Sequence, residues 1–226
     1  MDRIVVFAPH PDDEILCCGG TIIKKLKNGF DVSIVYMTDG RNALSNLGVY
    51  TDPSPDELKQ IRQKEAITGA NLLGVRRENL YFLDNEDRKL QCNSYTINNI
   101  QNILNNIKPQ EIYFPSINDV SPDHKSTYLI IMEALRTIEH KSNIYLYLAL
   151  PKYSRLDYVN KQLFRIFEKR YVKNDISEFL SQKYFSLLQH KSQIKIINSK
   201  QRRPVISHLT LKRFFNNTEY FLLLTR

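Results

Sequence analysis

The chain has 226 residues, 42% of them hydrophobic, and a formal net charge of +8. This length and composition fit one domain with a full core and exclude global disorder, and no apolar run approaches the roughly 18 residues of a membrane span. The chain has no signal-like leader and only three cysteines, so we expect a cytoplasmic protein with reduced thiols.

The first 150 residues alternate between predicted strands and helices, which is the pattern of an α/β domain. Strands are predicted at 4–7, 31–37, 80–83, 111–114 and 143–150, and helices at about 15–28, 54–73, 95–107 and 122–138. Ser54-Pro55-Asp56-Glu57 is a helix start, with Ser at the cap and Glu three residues later. The polar loop from Arg41 to Pro53 is longer than a usual connection, so it could cover a site.

Beyond residue 150 the pattern is less regular and more basic. We predict a strand at 163–172, a helix at 177–193, a loop around 200–204 and a last strand at 219–225. Because no nucleic-acid-binding motif accompanies the Lys and Arg residues, no nucleic-acid partner is expected. A solvated surface is the simpler interpretation of the charge, and the alternative is a basic face that attracts an anionic substrate or membrane surface.

The most distinctive stretch, Ala8-Pro9-His10-Pro11-Asp12-Asp13-Glu14, directly follows the first predicted strand. It therefore lies at the carboxyl end of that strand, where open α/β sheets bind their ligands. Four ionisable groups within five residues are costly to bury unless something compensates them, and a divalent metal is the simplest candidate. The alternative is a solvated acidic turn that caps a helix N-terminus.

A second polar stretch, Ser116 to His124, follows the fourth predicted strand. If the first and fourth strands are neighbours, His10, Asp13 and His124 can converge on one metal, and two imidazoles with one carboxylate are a common catalytic zinc set. Asp12 would then be free to accept a proton from an activated water. A single metal favours hydrolysis of an amide or ester over phosphoryl transfer, which often uses two.

Several motifs together resemble the N-acetylglucosaminyl-phosphatidylinositol de-N-acetylase family, also called LmbE-like. They are Ala8 to Glu14, Gly19-Gly20-Thr21, Thr38-Asp39-Gly40, Arg62 to Ala66, Leu72 to Val75 and Ser121 to His124. The match is weaker at Asp87 to Leu90, and it continues at His190 to Gln193 and Glu219 to Phe221. The order and spacing of these motifs make the resemblance specific over nearly the whole chain.

The resemblance implies a Rossmann-like three-layer sandwich around a mostly parallel sheet. It also implies a zinc-dependent deacetylase of an N-acetylated amino sugar, with Fe²⁺ or another divalent ion as alternatives to zinc. By position, His10, Asp13 and His124 match the metal ligands and Asp12 the general base. Asp123 matches an acid that supports a neighbouring histidine, and we count it with Asp12 as catalytic.

For substrate binding, the resemblance suggests Arg62, and we add Ser121 and Asp39. The alternative for Arg62 is an ion pair with Glu65 or another helix neighbour. Ser121 stands where the family often has a histidine that stabilises the oxyanion or leaving group. A serine can donate a hydrogen bond but carries no positive charge, so we expect an enzyme that is slower or differently specific.

We interpret residues 1–226 as one domain, with a core at 1–150 and a substrate-shaping part at 151–226. The substrate would be a small amino-sugar conjugate, with anionic and lipid-linked conjugates both open, and the apolar strands leave room for a homo-oligomer. Two other functions remain open: hydrolysis of another amide or ester, and a non-catalytic nucleotide-binding domain. The second lacks support because Cys18-Gly19-Gly20 does not have the Gly-x-Gly-x-x-Gly spacing.

Overall fold

The computed structural model describes residues 2–148 and 171–224, and these residues form one sheet with helices on both faces. The strands are β1 Arg3–Ala8, β2 Asp31–Thr38, β3 Leu80–Asn85, β4 Glu111–Pro115, β5 Asn143–Tyr147, β6 Tyr171–Asp175 and β7 Thr218–Leu224. The helices are α1 Asp13–Lys27, α2 Pro55–Leu73, α3 Ser94–Ile107, α4 Pro122–Arg136, α5 Leu180–Leu187, α6 Lys191–Ile194 and α7 His208–Phe214.

The seven strands lie in the order β3-β2-β1-β4-β5-β7-β6. The first five are parallel to one another, and β7 runs antiparallel to both of its neighbours. The prediction of a Rossmann-like sandwich with a mostly parallel sheet is confirmed. The two strands of the C-terminal part extend this sheet, so residues after 170 contribute to the core as well as to the surface.

Strands β1 and β4 are direct neighbours, with Val6 opposite Tyr113. Their carboxyl ends therefore lie side by side, and the chain leaves them into α1 and α4 respectively. This adjacency is the condition under which the two polar stretches of the sequence can meet.

Alternate side chains of β1 pack into the two hydrophobic layers on opposite faces of the sheet. Ile4, Val6 and Ala8 pack with residues of α1 and α2, whereas Val5 and Phe7 pack with residues of α3 and α4. Because every β1 side chain from Ile4 to Ala8 is buried, the strand reads as one continuous apolar run. A central strand of this kind gives the turn that follows it a rigid base.

The predicted start of α2 is confirmed in detail. The Ser54 hydroxyl accepts the Glu57 backbone N–H, and the Glu57 carboxylate accepts the Ser54 backbone N–H at 2.7 Å. Two of the N–H groups that a helix start leaves without partners are satisfied in this way.

The single helix predicted at 177–193 is wrong. The structure has a short 3-10 turn at Ser177–Phe179, then α5, a break at His190, and the separate turn α6. The break follows from a tertiary contact, because the Glu65 carboxylate accepts the backbone N–H and the hydroxyl of Ser192 at 2.8 and 2.6 Å. These bonds hold the chain against α2 instead of letting it continue as a helix.

Some predictions fall on residues that are not described. The strand predicted at 163–172 lies outside the described residues except for Tyr171 and Val172, which begin β6. Helix α7 was not predicted, because it is short and its signal is little more than the cap at Ser207, whose hydroxyl accepts the Thr210 N–H at 3.1 Å. Among the described helices, none has the length and apolar character that crossing a membrane requires.

Candidate metal centre and active site

The turn between β1 and α1 is held in a strained conformation. Asp12 has φ of 142°, a region that residues other than glycine rarely adopt. Its backbone N–H donates to the Glu14 carboxylate at 3.0 Å, and its carboxylate accepts Arg62 Nη2 at 3.0 Å. Because strain of this kind persists only where the surroundings over-determine it, the turn is preset by its neighbours.

Three side chains from the two polar stretches meet beside this turn. The distances are 3.2 Å from His10 Nδ1 to Asp13 Oδ2, 3.1 Å from Asp13 Oδ2 to His124 Nε2, and 3.3 Å between His124 Nε2 and His10 Nδ1. They form a group that could hold a metal ion. Ligands about 2.0–2.1 Å from a tetrahedral zinc are about 3.3 Å apart, so these residues fit such an ion.

Each of the two imidazoles has a carboxylate at its other ring nitrogen. His10 Nε2 lies 3.1 Å from Asp123 Oδ2 and 3.3 Å from Asp87 Oδ1, and His124 Nδ1 lies 3.1 Å from Asp119 Oδ2. Metal-binding histidines commonly have such partners, which fix the tautomer and the ring orientation. Asp123 thus contacts His10 as well as lining the cavity described below.

The protonation of the cluster also fits a cation. Burial alone would lower the pKa of His124, but Asp13 and Asp119 raise it to about 9. Burial lowers the pKa of His10 as well, yet its hydrogen bonds to Asp123, Asp13 and Asp87 raise it well above its usual value. The surrounding carboxylates therefore favour positive charge at the two imidazoles, and a divalent cation bound between them would supply such charge.

Asp12 differs from its neighbour Asp13. Burial raises the pKa of Asp12 to about 7, even though Arg62 acts in the opposite direction. Burial also tends to raise the pKa of Asp13, but His124 and His10 hold it well below its usual range. Two adjacent carboxylates therefore have different proton affinities, a pattern typical of divided acid–base roles.

Arg62 reaches this turn from α2. Its guanidinium donates to the Pro11 carbonyl at 2.6 Å and to the Gly40 carbonyl at 2.9 Å, in addition to Asp12. Gly40 has φ of 65°, and a Cβ there would collide with the guanidinium, so only glycine fits. Arg62 pairs with Asp12 rather than with a neighbour on its own helix, and it lines the cavity described next.

A cavity of about 570 Å³ opens onto the cluster. Ser121, at the start of α4, lines it. Asp39 does not belong to the described lining, because its carboxylate accepts the side chain of Arg41 at 2.7 Å and the backbone N–H of Asp87 at 3.3 Å. Its placement therefore gives the predicted substrate-binding role of Asp39 no support.

Several residues of the site were missed in the sequence. Asp87 follows β3 and Asp119 follows β4, so both lie at carboxyl ends of parallel strands, where a systematic search would have found them. Gln193, which also lines the cavity, belongs to a stretch of the family resemblance. The other C-terminal lining residues, Val205, Ile206, Thr210 and Phe214, have no comparable signal.

Comparison with known proteins gives a family match over most of the site. The model of the family described as PIG-L, GlcNAc-PI de-N-acetylase, matches residues 5–135. That segment contains His10, Asp12, Asp13, Arg62 and His124. The C-terminal wall of the cavity lies outside it.

Individual relatives and solved structures are similar to this chain at low sequence identity. A probable N-acetyl-alpha-D-glucosaminyl L-malate deacetylase 2 of Bacillus anthracis is 26% identical over 195 residues, covering 84% of this chain and 81% of the relative. The diacetylchitobiose deacetylase of Thermococcus kodakarensis is 26% identical over 160 residues, or 70% of this chain and 54% of that protein. The structure of the N,N'-diacetylchitobiose deacetylase of Pyrococcus horikoshii with its inhibitor MPG superposes with a TM-score of 0.74 at 23% identity, over 99% of this chain and 84% of that one.

Proposed function

Because this chain belongs to the GlcNAc-PI de-N-acetylase (PIG-L, LmbE-like) family, we propose that it is a metal-dependent hydrolase that removes the acetyl group from an N-acetylated amino sugar or its conjugate. One observation carries the proposal: His10, Asp13 and His124 converge beside Asp12 at the bottom of an open cavity. The relatives described above, deacetylases of a glucosaminyl malate and of diacetylchitobiose, support the same substrate class.

His10, Asp13 and His124 would hold the ion, with zinc preferred and Fe²⁺ or another divalent ion as alternatives. When bound, such an ion lowers the pKa of a water molecule and polarises a carbonyl group. Asp123 and Asp87 orient the ring of His10, and Asp119 orients the ring of His124. These carboxylates are therefore positioning residues in the proposal.

Asp12 is the proposed general base. Its carboxylate lines the cavity, and a pKa near neutrality suits a group that must both accept and return a proton. It first takes a proton from the attacking water and then gives it to the amine that leaves. Arg62 keeps this carboxylate oriented through the hydrogen bond at 3.0 Å.

Ser121 lines the same cavity but lacks the positive charge of a histidine. Its hydroxyl can donate one neutral hydrogen bond to the developing oxyanion, which is worth less than a charge-assisted one. We therefore propose slower turnover than in relatives with a histidine there. Ser121→His should raise the turnover rate if the position retains that role.

The proposal is tested first by metal content. Purified protein should hold about one equivalent of zinc or iron, and His124→Ala should lose it, whereas His208→Ala, at an exposed histidine on α7, should keep it. Asp12→Ala should retain the ion but lower the deacetylation rate of N-acetylglucosamine conjugates by several orders of magnitude. A wild-type protein that binds no ion after supplementation would refute the proposal.

A panel of substrates tests the reaction separately. N-acetyl amino sugars should be hydrolysed with release of acetate, and other amides and esters should not. Hydrolysis of a simple ester with no activity on any N-acetyl sugar would keep the metal centre and overturn the substrate class.

A further inference from the structure

Gln193 presents an unpartnered hydrogen-bond acceptor to the cavity. The residue is buried, with 1% of its surface exposed, and it lines the same cavity as the metal-binding group. Its Nε2 donates to the Ser192 hydroxyl at 2.8 Å, whereas its Oε1 accepts no hydrogen bond from the residues that the structure describes. Because this oxygen is not sealed from solvent, the surface that it keeps faces the cavity. The proposed chemistry gives it no role, although a buried amide oxygen without a donor costs free energy.

The neighbouring serine fixes which amide atom Gln193 keeps for the cavity. The backbone N–H and the hydroxyl of Ser192 both donate to the Glu65 carboxylate, at 2.8 and 2.6 Å. The hydroxyl proton of Ser192 is therefore in use, so its oxygen can only accept from Gln193, and only the amide nitrogen can donate. A carboxamide turned the other way would place two acceptors against each other. Gln193 therefore keeps its carbonyl oxygen, an acceptor, for a ligand.

The helix that holds the proposed base also holds this amide. Arg62 and Glu65 are three residues apart in the sequence, so they share one face of α2. Arg62 donates to the Asp12 carboxylate, and Glu65 accepts both groups of Ser192, which in turn orients Gln193. The position of the free acceptor is therefore tied to that of Asp12 through one rigid element.

The backbone of Gln193 is held on both sides as well. Its N–H donates to the His190 carbonyl and its carbonyl accepts the Ile206 N–H, each at 2.9 Å. Because backbone and side chain are both fixed before a ligand arrives, a ligand group that donates to Oε1 gains a hydrogen bond with little loss of conformational entropy in the protein.

We infer that Gln193 Oε1 accepts a hydrogen bond from a hydroxyl group of the substrate's sugar, which makes Gln193 a specificity-determining residue. This inference rests on the proposed deacetylation. The donors of an N-acetylated amino sugar are its hydroxyl groups and its amide N–H, and the amide is the reacting group beside the metal ion. A hydroxyl group is the donor that remains for Gln193. A site that keeps a buried acceptor for a hydroxyl discriminates against compounds that lack that hydroxyl.

The test compares the methyl glycoside of N-acetylglucosamine with the analogues that each lack one of its hydroxyl groups, in metal-loaded protein. In the wild type, kcat/KM should be about tenfold lower for one analogue than for the parent glycoside. In Gln193→Met, kcat/KM for the parent should fall about tenfold, and its ratio to that analogue should fall to about one. In the matched control Gln182→Met no ratio should change, because Gln182 is exposed on α5 and does not line the cavity.

Ratios that are the same in the wild type and in Gln193→Met for every analogue would overturn the inference. Ser192→Ala is the second variant, for the case that Gln193→Met folds poorly. It keeps both amide atoms of Gln193 but removes the hydroxyl that orients them, so the ratio for the same analogue should fall at least about threefold. An unchanged ratio in Ser192→Ala would also overturn the inference.

A binding measurement separates this inference from the proposed function. A wild type that hydrolyses none of these glycosides would overturn the proposed deacetylation, and their binding can then be measured directly by calorimetry. A Kd that is about tenfold weaker for one analogue in the wild type, but not in Gln193→Met, would keep Gln193 as a binding residue. The same ratios of Kd in the two proteins would overturn that role as well.

Discussion

Replacement of Lys183 by Met should destabilise the fold strongly. The side chain is fully buried, and its ammonium group contacts Glu219 Oε1 at 2.7 Å and the carbonyls of Leu16 and Phe214 at 2.9 Å. An ammonium has three donors, so all are used. Met has a similar volume but leaves the buried carboxylate without its cation, and breaking a buried pair from one side costs about 3–5 kcal/mol.

The expected loss of stability depends on the hydrogen bonds that Glu219 retains in the variant. Its carboxylate still accepts the Gly20 and Thr21 backbone N–H groups at 2.9 and 2.8 Å, so the lower part of that range is expected. The free energy of unfolding in urea should fall by about 3 kcal/mol in Lys183→Met. The double variant Lys183→Met/Glu219→Gln should recover only part of the loss, because it removes the unpaired charge but turns the amide nitrogen of Gln toward one of these two N–H groups.

Lys212→Met, at an exposed lysine of α7, is the matched control and should lie within about 0.5 kcal/mol of the wild type. If the free energy of unfolding of Lys183→Met also lay within about 1 kcal/mol of the wild type, at an unchanged denaturant slope, the three contacts of the ammonium would contribute little to stability. That result would refute the reasoning. A double variant no more stable than the single one would likewise contradict the unpaired-charge explanation.

Three further changes test the site and its support. Glu14→Ala removes the acceptor of the Asp12 backbone N–H and the Tyr36 hydroxyl, so the protein should lose about 1–3 kcal/mol of stability. Glu14→Gln keeps an acceptor and should lose less. Equal losses of the two variants in urea unfolding would contradict this. Burial lowers the pKa of His190 to about 3, so the unfolded chain binds the extra proton, and stability should fall by about 1.4 kcal/mol per pH unit below about 6.5. His190→Gln should remove that slope, and parallel pH–stability curves for the two proteins would refute the assignment. Asp119→Asn should weaken metal binding about 10- to 100-fold in a chelator competition, with no change expected for Asp56→Asn at an exposed carboxylate on α2.

The sequence predicted the centre of the molecule well because its signals there are local. The apolar run at Ile4–Phe7, the capping box at Ser54 and the two polar stretches each depend on a few adjacent residues, and parallel strands bring their carboxyl ends together. The meeting of His10 with His124 required only that β1 and β4 pair, which the structure confirms.

The errors come from contacts between distant residues. The break at His190 is set by the contact with Glu65, more than a hundred residues earlier, and the sequence near Ser192 does not indicate that contact. The C-terminal lining of the cavity was missed for the same reason, because Val205, Ile206 and Phe214 meet the metal-binding turns only in the folded chain.

The cavity is assembled from two widely separated parts of the chain. The ionisable groups that line it belong to residues before 125, whereas five other lining residues, from Gln193 to Phe214, come after 190. The ammonium of Lys183 joins the two parts, because it donates to the carbonyls of Leu16 and Phe214. In such an arrangement, substitutions in the C-terminal part can change the lining of the cavity without touching the group that could hold a metal ion. Exchange of residues 191–214 for the corresponding stretch of a relative should therefore change the lining of the cavity and leave both the metal-binding group and the pair of Lys183 and Glu219 in place.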